Sequence, residues 1–368
     1  MSHVFLYGTL RHFGLLETVL GSVPHDRLVP AGLENFCVAR AHGQDFPLIF
    51  ACNGATSKGF LLKDVTAEEK ARLDHYELGF GYTLEPCCVS GLDALVYIPQ
   101  AGLWQPAEPW SLESWVENAW PIVKHSAQEI MALRGLVEPK DLHGYFDRIQ
   151  ARAYSRHLAE TQHSPADLRS KNRYSDVKLS NRSCRHIGYF RTDANTLSYP
   201  QYDGTMGKVV TREVFLSGDA AIVLPYDAKR DRVLLIEQFR LGPFGRGDPY
   251  PWLLEPIAGR IDVGETPAES AKRECIEEAG VHLDQLLPVA SYYPSPGEVS
   301  TYFHTFVGLC DLPDTSAGLG GLATEAEDIK SHVVSFDYAE SLMCSGEINV
   351  GPLLHLLLWL KTERNSLK

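Results

Sequence analysis

The sequence has no run of about 18 apolar residues, the least that a membrane-spanning helix needs. No membrane-crossing helix is therefore expected. Leu353–Leu360 is apolar but short, and reads as the buried part of a final helix. The N-terminal MSHVFLYGTLRHF lacks a basic region followed by a long apolar run, so no secretory signal is expected. There is no CxxC pair: the eight cysteines are scattered, and only Cys87 and Cys88 are adjacent. That pattern points to reduced thiols in a cytoplasmic protein rather than a zinc site or disulfide framework. Basic charge is in deficit, with 34 Lys+Arg against 47 Asp+Glu and a net charge of −13. Non-specific nucleic-acid binding is thereby disfavoured. A small phosphate-bearing substrate stays open, because a metal ion and local arginines can neutralise it.

At 368 residues, 44% hydrophobic and 22% charged, the chain has globular values and room for two or three domains. Thr161–Ser175 (TQHSPADLRSKNRYS) is polar and lacks apolar periodicity, as an interdomain linker does. Domains are expected over residues 1–160 and 176–368.

The most informative stretch is Gly259–Val281, GRIDVGETPAESAKRECIEEAGV. Thr266 as N-cap, Pro267 at the first helical position and Glu269 in a capping box predict a helix start. Gly280 suits its end. Glu274, Glu277 and Glu278 then share one helix face, with Ala268, Ala271, Cys275 and Ala279 opposite. Three carboxylates on one stripe repel each other, and a hard divalent cation reverses that sign. A solvated acidic face is the competing reading.

The spacing G-x5-E-x7-R-E-U-x-E-E-x-G-U, with U apolar, resembles the Nudix box at every fixed position. SGDAAIVLPYD, VLLIEQFR, LLEPIAG, YYPSPGEVS and GLATEAEDIKSHVVSF resemble the ADP-ribose pyrophosphatase branch, some of whose bacterial members carry a tellurite-resistance label. The resemblance implies an α/β/α sandwich and a homodimer in which the Val177–Phe190 segment crosses to its partner. It also implies Mg²⁺ (or Mn²⁺) held by the Ala258 carbonyl, Glu274, Glu278 and Glu327, with Glu277 nearby. Glu325 would be the base, and Arg212 and Arg240 would lie near the substrate. Gly242, Gly245 and Gly247 mark a substrate loop rather than a phosphate cradle, since no Lys-Ser or Lys-Thr follows.

In the N-terminal half, Val4–Leu6 reads as a strand followed by Tyr7-Gly8-Thr9-Leu10-Arg11. Apolar runs at Phe46–Phe50, Gly59–Leu62, Cys87–Val89 and Ala94–Ile98 read as further strands. Thr66 and Glu69 cap a helix from about Val65 to Tyr76, with Glu77 just past its end. Helical character then continues from Trp104 to about Glu160. The YGTLR loop and Leu73-Asp74-His75-Tyr76-Glu77 resemble the γ-glutamylcyclotransferase (AIG2-like) family, whose fold is a mixed β-barrel with helices. The resemblance implies that the amides of Tyr7, Gly8, Thr9 and Leu10 meet a glutamyl group and that Glu77 is the acid/base. The family usually has glycine after that glutamate; Leu78 stands here. His75 is expected at the surface. The chain as a whole is thus expected to be α+β with two domains. Two functions remain open for the first domain, cyclisation of γ-glutamyl amines to 5-oxoproline or non-catalytic ligand binding. For the second, another nucleoside diphosphate sugar is the alternative to ADP-ribose.

Overall fold

The computed structural model of the chain describes residues 2–162, 164–321 and 327–367. It divides into two compact units, Met1–Thr211 and Arg212–Lys368. Among the described residues no helix is long and apolar enough to cross a membrane.

The first unit runs β1 (Ser2–Leu6), α1 (Phe13–Leu20), β2 (Leu28–Ala41), β3 (Pro47–Val65), α2 (Ala67–Glu77), β4 (Tyr82–Val89), β5 (Leu92–Pro99) and β6 (Pro106–Pro109). Helices α3 (Leu112–Asn118), α4 (Trp120–Ala132) and α5 (Phe146–Thr161) follow, then β7 (Lys178–Ile187) and β8 (Arg191–Ser198). Strands β1 to β6 form one mixed sheet in the order β4-β5-β1-β3-β2-β6. Strand β1 is central, parallel to β5 and antiparallel to β3. That position demands apolar residues on both faces, and Val4, Phe5 and Leu6 are all buried.

Strand β3 joins two apolar runs that the sequence pattern separates, and β2 has no clear signal at all. Pro30 and Gly32 break its pattern, and a bulge between Glu34 and Phe36, with Asn35 at φ 62°, resets its alternation. Helix α2 carries the reciprocal Thr66–Glu69 capping box expected of it.

The β7–β8 hairpin contributes to the core of this first unit. Cys184 and Ile187 pack against Ile130, Leu133, Leu142 and Ile149. Arg191, 3% exposed, donates to both oxygens of Asp193 at 2.7 and 3.0 Å. Its Nη1 also lies 3.2 Å from Glu129 on α4, which is paired with Arg152 on α5 at 2.6 and 3.0 Å. Two arginines and two acids thus balance inside the unit.

The second unit begins within β9 (Val210–Leu216) and continues with β10 (Ala220–Asp227), β11 (Arg232–Phe239), α6 (Leu241–Arg246), β12 (Trp252–Glu255) and β13 (Ile257–Arg260). Then come α7 (Pro267–Ala279), β14 (Gln285–Tyr292), β15 (Phe303–Leu309), β16 (Gly318–Gly320), β17 (Ile329–Ser335), α8 (Phe336–Ser345) and α9 (Gly351–Glu363). The sheet order is β14-β15-β10-β11-β17-β16, with β12 on β11 and β13 on β10. Ile222, Leu224 and Tyr226 of β10 pack with Phe336, Leu353, Leu356 and Leu360 of α8 and α9. Helix α7 lies against β10 and β13, which makes the unit an α/β/α sandwich.

The buried ion network makes the first unit sensitive to one deletion. Glu129→Ala leaves Arg152 without its carboxylate in a dry site, and is expected to cost about 3 kcal/mol or more. Urea unfolding monitored by circular dichroism measures this; a loss below about 1 kcal/mol would contradict the role given to Glu129.

Candidate functional site

In the first unit, β1 delivers the chain directly into the YGTLR loop. Tyr7 is buried, and its hydroxyl donates to the Tyr97 carbonyl at 2.9 Å. A Cβ on Gly8 would lie 2.7 Å from Pro47 Cγ, so a larger residue would push the loop off the sheet. Thr9–Arg11 forms a single 3₁₀ turn, whose leading amides have no acceptor within the turn itself.

Glu77, at the last position of α2, is half-buried. Burial pushes its carboxyl up to about 7. Its charge acts on Tyr7, Tyr76, Tyr82 and Tyr97, and helps hold all four phenols above their usual range, although burial is the larger cause for each. Loop and glutamate are therefore brought together around an aromatic enclosure. Asp74, also in the motif, accepts from the Tyr97 hydroxyl at 2.7 Å. Leu78 takes φ −68° in a right-handed turn, a conformation that does not call for glycine. His75 is not at the surface: it is 3% exposed, with Nε2 2.9 Å from the Ile130 carbonyl. It lies on the face of α2 that packs on α4, which its place beside the helix end does not reveal.

In the second unit, α7 has the expected ends. Thr66's counterpart here, Thr266, caps the Glu269 amide while Glu269 caps Thr266 in return, and Gly280 closes the helix at φ 63°. Arg273 is the hub of the acidic face. It donates to both oxygens of Glu265 at 2.9 and 3.0 Å, to Glu274 at 2.7 Å, to Glu277 at 2.8 Å and to the Arg260 carbonyl at 3.0 Å.

Glu278 lies outside that grip. It is 3% exposed, and the Ala258 amide donates to its Oε2 at 3.4 Å. Burial pushes its carboxyl up to about 9, with Glu274 and Glu327 adding to the rise. Glu274 is pushed up to about 7 by burial, against the pull of Arg273. A solvated acidic face is excluded by that burial. Gly259, on β13, is where Glu274 comes to rest: a Cβ there would overlap the carboxylate. The glycine is required by close approach rather than by its backbone angle.

The structure thus gathers Ala258, Glu274, Glu277, Glu278 and Glu327 at one end of α7. Among the described residues no three acidic, histidine or cysteine side chains already stand in a metal-holding arrangement. Arg240 donates to Glu255 at 2.6 Å, while Arg212 is exposed on β9. Glu325 lies outside the described residues.

Comparison with known proteins decides the family. The NUDIX domain family model matches residues 216–342, and the model "Gamma-glutamyl cyclotransferase, AIG2-like" matches residues 4–117. An ADP-ribose pyrophosphatase of Escherichia coli K12 is 39% identical over 194 residues, covering 53% of this chain and 92% of its own length. The chain belongs to the Nudix hydrolase family.

A Haemophilus influenzae ADP-ribose pyrophosphatase is 37% identical over 52% of this chain and 89% of its own. A GDP-mannose pyrophosphatase of E. coli SMS-3-5 is 34% identical over 46% of this chain and 88% of its own. A crystal structure of an ADP compounds hydrolase aligns with 51% of this chain and 96% of its own, at 20% identity and a TM-score of 0.40. One chain thus carries both a NUDIX domain and an AIG2-like domain.

Two features of these sites escape the sequence. The enclosure by Tyr82 and Tyr97 depends on strand pairing far along the chain. The bidentate hold of Arg273 on Glu265 joins the helix to the loop before it, although its i,i+4 contact with Glu277 is readable from helical spacing.

Proposed function

We propose that the C-terminal half hydrolyses the pyrophosphate of ADP-ribose to AMP and ribose 5-phosphate, using Mg²⁺ or Mn²⁺. The observation that carries this reading is Glu278, a buried carboxylate beside two other acids and beyond the reach of Arg273. The donors assigned to the ion are all oxygen, four carboxylates and the Ala258 carbonyl, which suits a hard divalent cation. When bound, such ions neutralise pyrophosphate oxygens and polarise phosphorus toward attack.

The chain's own residues are assigned the remaining tasks. Arg273 orients Glu274 and Glu277. Glu325 takes the proton of the attacking water, and Glu327 completes the acidic set. Arg212 and Arg240 meet the substrate, Arg240 with its charge already shared with Glu255. The relatives include both an ADP-ribose pyrophosphatase and a GDP-mannose pyrophosphatase, so another nucleoside diphosphate sugar is the alternative substrate. We assign the activities to residues 176–368 and 1–160, joined by the linker 161–175, in a cytoplasmic protein that dimerises through the Nudix half.

For the N-terminal half the favoured reading is cyclisation of a γ-glutamyl amine. The substrate's own α-amine attacks its γ-carbonyl, so proximity is built into the substrate. Glu77 accepts the ammonium proton and returns it to the leaving amine, and amides of Tyr7 to Leu10 steady the oxyanion. A non-catalytic ligand-binding module is the alternative, and a failure to release 5-oxoproline from any γ-glutamyl amine would favour it.

Glu278→Gln is expected to lower ADP-ribose turnover by roughly 100-fold or more while leaving the melting temperature unchanged or higher, because glutamine matches the shape of the buried, protonated carboxyl and cannot ionise. Excess chelator should abolish wild-type turnover. Full activity in either case would overturn the assignment.

Glu77→Gln should abolish 5-oxoproline formation and leave ADP-ribose hydrolysis intact. In the wild type the ionised fraction of Glu77 grows as pH rises through about 7, so the cyclisation rate should climb over the same interval. A rate flat from pH 5 to 8 would exclude Glu77 as the base.

A further inference from the structure

The eight cysteines are all free thiols, but their surroundings fit them for different reactions. Cys275 and Cys310 are buried, and burial drives both thiols up, that of Cys310 to about 12. Cys87 and Cys88 are consecutive in β4 and so point to opposite faces of the sheet. Cys184 donates to the His186 carbonyl at 3.2 Å. Cys344 is exposed near the end of α8. Cys37 and Cys52 differ from these six, being half-buried and on neighbouring strands of the first unit.

In the β2–β3 ladder Cys37 lies opposite Phe50. Cys52 follows two residues later, so it projects from the same face as Cys37. Phe36 and Val38, on the other face, pack on the cluster around Phe5 and Ile49. A regular ladder sets such diagonal neighbours about 7–8 Å apart, whereas a disulfide needs Cα atoms about 4.4–6.8 Å apart. This ladder is not regular. Phe36 meets Ala51, and pairing resumes only at Glu34, which meets Thr56. Residues 52–55 therefore bulge opposite Asn35, whose φ is 62° and whose Oδ1 accepts from the Gly54 amide at 3.0 Å. Cys52 opens that bulge, outside the register that would hold it away from Cys37. The two thiols meet: a hydrogen bond to Cys52 raises the Cys37 thiol above its usual range.

We propose that Cys37 and Cys52 form an oxidation site, a dithiol that a hydroperoxide converts to an intrachain disulfide. Cys37 keeps its proton and shares it with Cys52, so the Cys52 sulfur is the attacking group. It takes one oxygen of the hydroperoxide as the O–O bond breaks, and its own proton goes to the leaving oxygen. Cys52 is then a sulfenic acid. The Cys37 sulfur attacks it: the S–S bond forms, the S–O bond breaks, and the hydroxyl leaves with the Cys37 proton as water. Two thiols are oxidised and one hydroperoxide is reduced, to water and an alcohol or, for hydrogen peroxide, to water alone. Partial exposure admits a reagent of this size, which the buried Cys275 and Cys310 exclude. The site uses no residue of either proposed active centre.

The test is peptide mapping by mass spectrometry of the full chain after equimolar hydrogen peroxide, with remaining thiols alkylated before digestion. The peptides carrying Cys37 and Cys52 are expected joined and two hydrogens lighter, with the other six cysteines alkylated, and dithiothreitol should restore both thiols. In Cys37→Ser, dimedone should trap a sulfenic acid at Cys52, since nothing resolves it. In Cys52→Ser, Cys37 should stay alkylatable. Equal melting temperatures establish that the variants are folded, and the wild-type map stands without them. Failure of Cys37 and Cys52 to join would overturn the proposal, as would a disulfide between two chains or oxidation of the exposed Cys88 and Cys344 ahead of the pair. Dimedone trapping at Cys37 in Cys52→Ser, with none at Cys52 in Cys37→Ser, would overturn the order of attack.

Discussion

The Nudix site depends on how one guanidinium divides a set of carboxylates. Arg273 holds Glu265, Glu274 and Glu277 together with a backbone carbonyl, using donors in a planar fork that lysine could not imitate. These partners raise its own pKa further above the usual arginine value, though burial works against them. Among the described residues Glu278, one turn further on, meets the Ala258 amide but no arginine, and is more deeply buried. The face is thus split between acids that are already paired and one that is not. A buried carboxylate in that state either keeps its proton or finds a cation. Gly259 matters for the same reason, since only a residue without a side chain lets β13 approach the Glu274 carboxylate so closely.

The first unit puts a glutamate to a different use. Among the described residues Glu77 has no arginine grip; burial among tyrosines moves it to about 7. A group with that affinity gives and takes a proton readily near neutrality. The acidic face of α7 accumulates charge for a cation to balance, whereas Glu77 is a solitary group suited to proton transfer. The same side chain supports two chemistries because its surroundings differ.

Local chemistry was the legible part of this sequence. Both capping boxes, at Thr66 and Thr266, are written in adjacent residues and form as the spacing requires. The apolar run Leu353–Leu360 sits within the final helix, with Leu353, Leu356, Leu357 and Leu360 fully buried. What eluded the sequence depends on partners distant along the chain. Strand β2 is disguised by Pro30, Gly32 and a bulge. His75 is buried only because α4 arrives above it. The hairpin of β7 and β8 reads as the opening of the second domain, yet its Arg191 finds Glu129 on α4, a pairing no local pattern announces. At the sites, the shared face of Glu274, Glu277 and Glu278 follows from helical spacing, while the isolation of Glu278 from Arg273 emerges only in three dimensions.

The measurement that bears most directly on the account is a hydrolysis screen of nucleoside diphosphate compounds with Mg²⁺, with products identified by mass spectrometry after reaction in ¹⁸O-labelled water. The account predicts that ADP-ribose is turned over to AMP and ribose 5-phosphate, with a single labelled oxygen on one of the two phosphates. Release of ADP and free ribose, label in the sugar, or no metal-dependent turnover of ADP-ribose would contradict it.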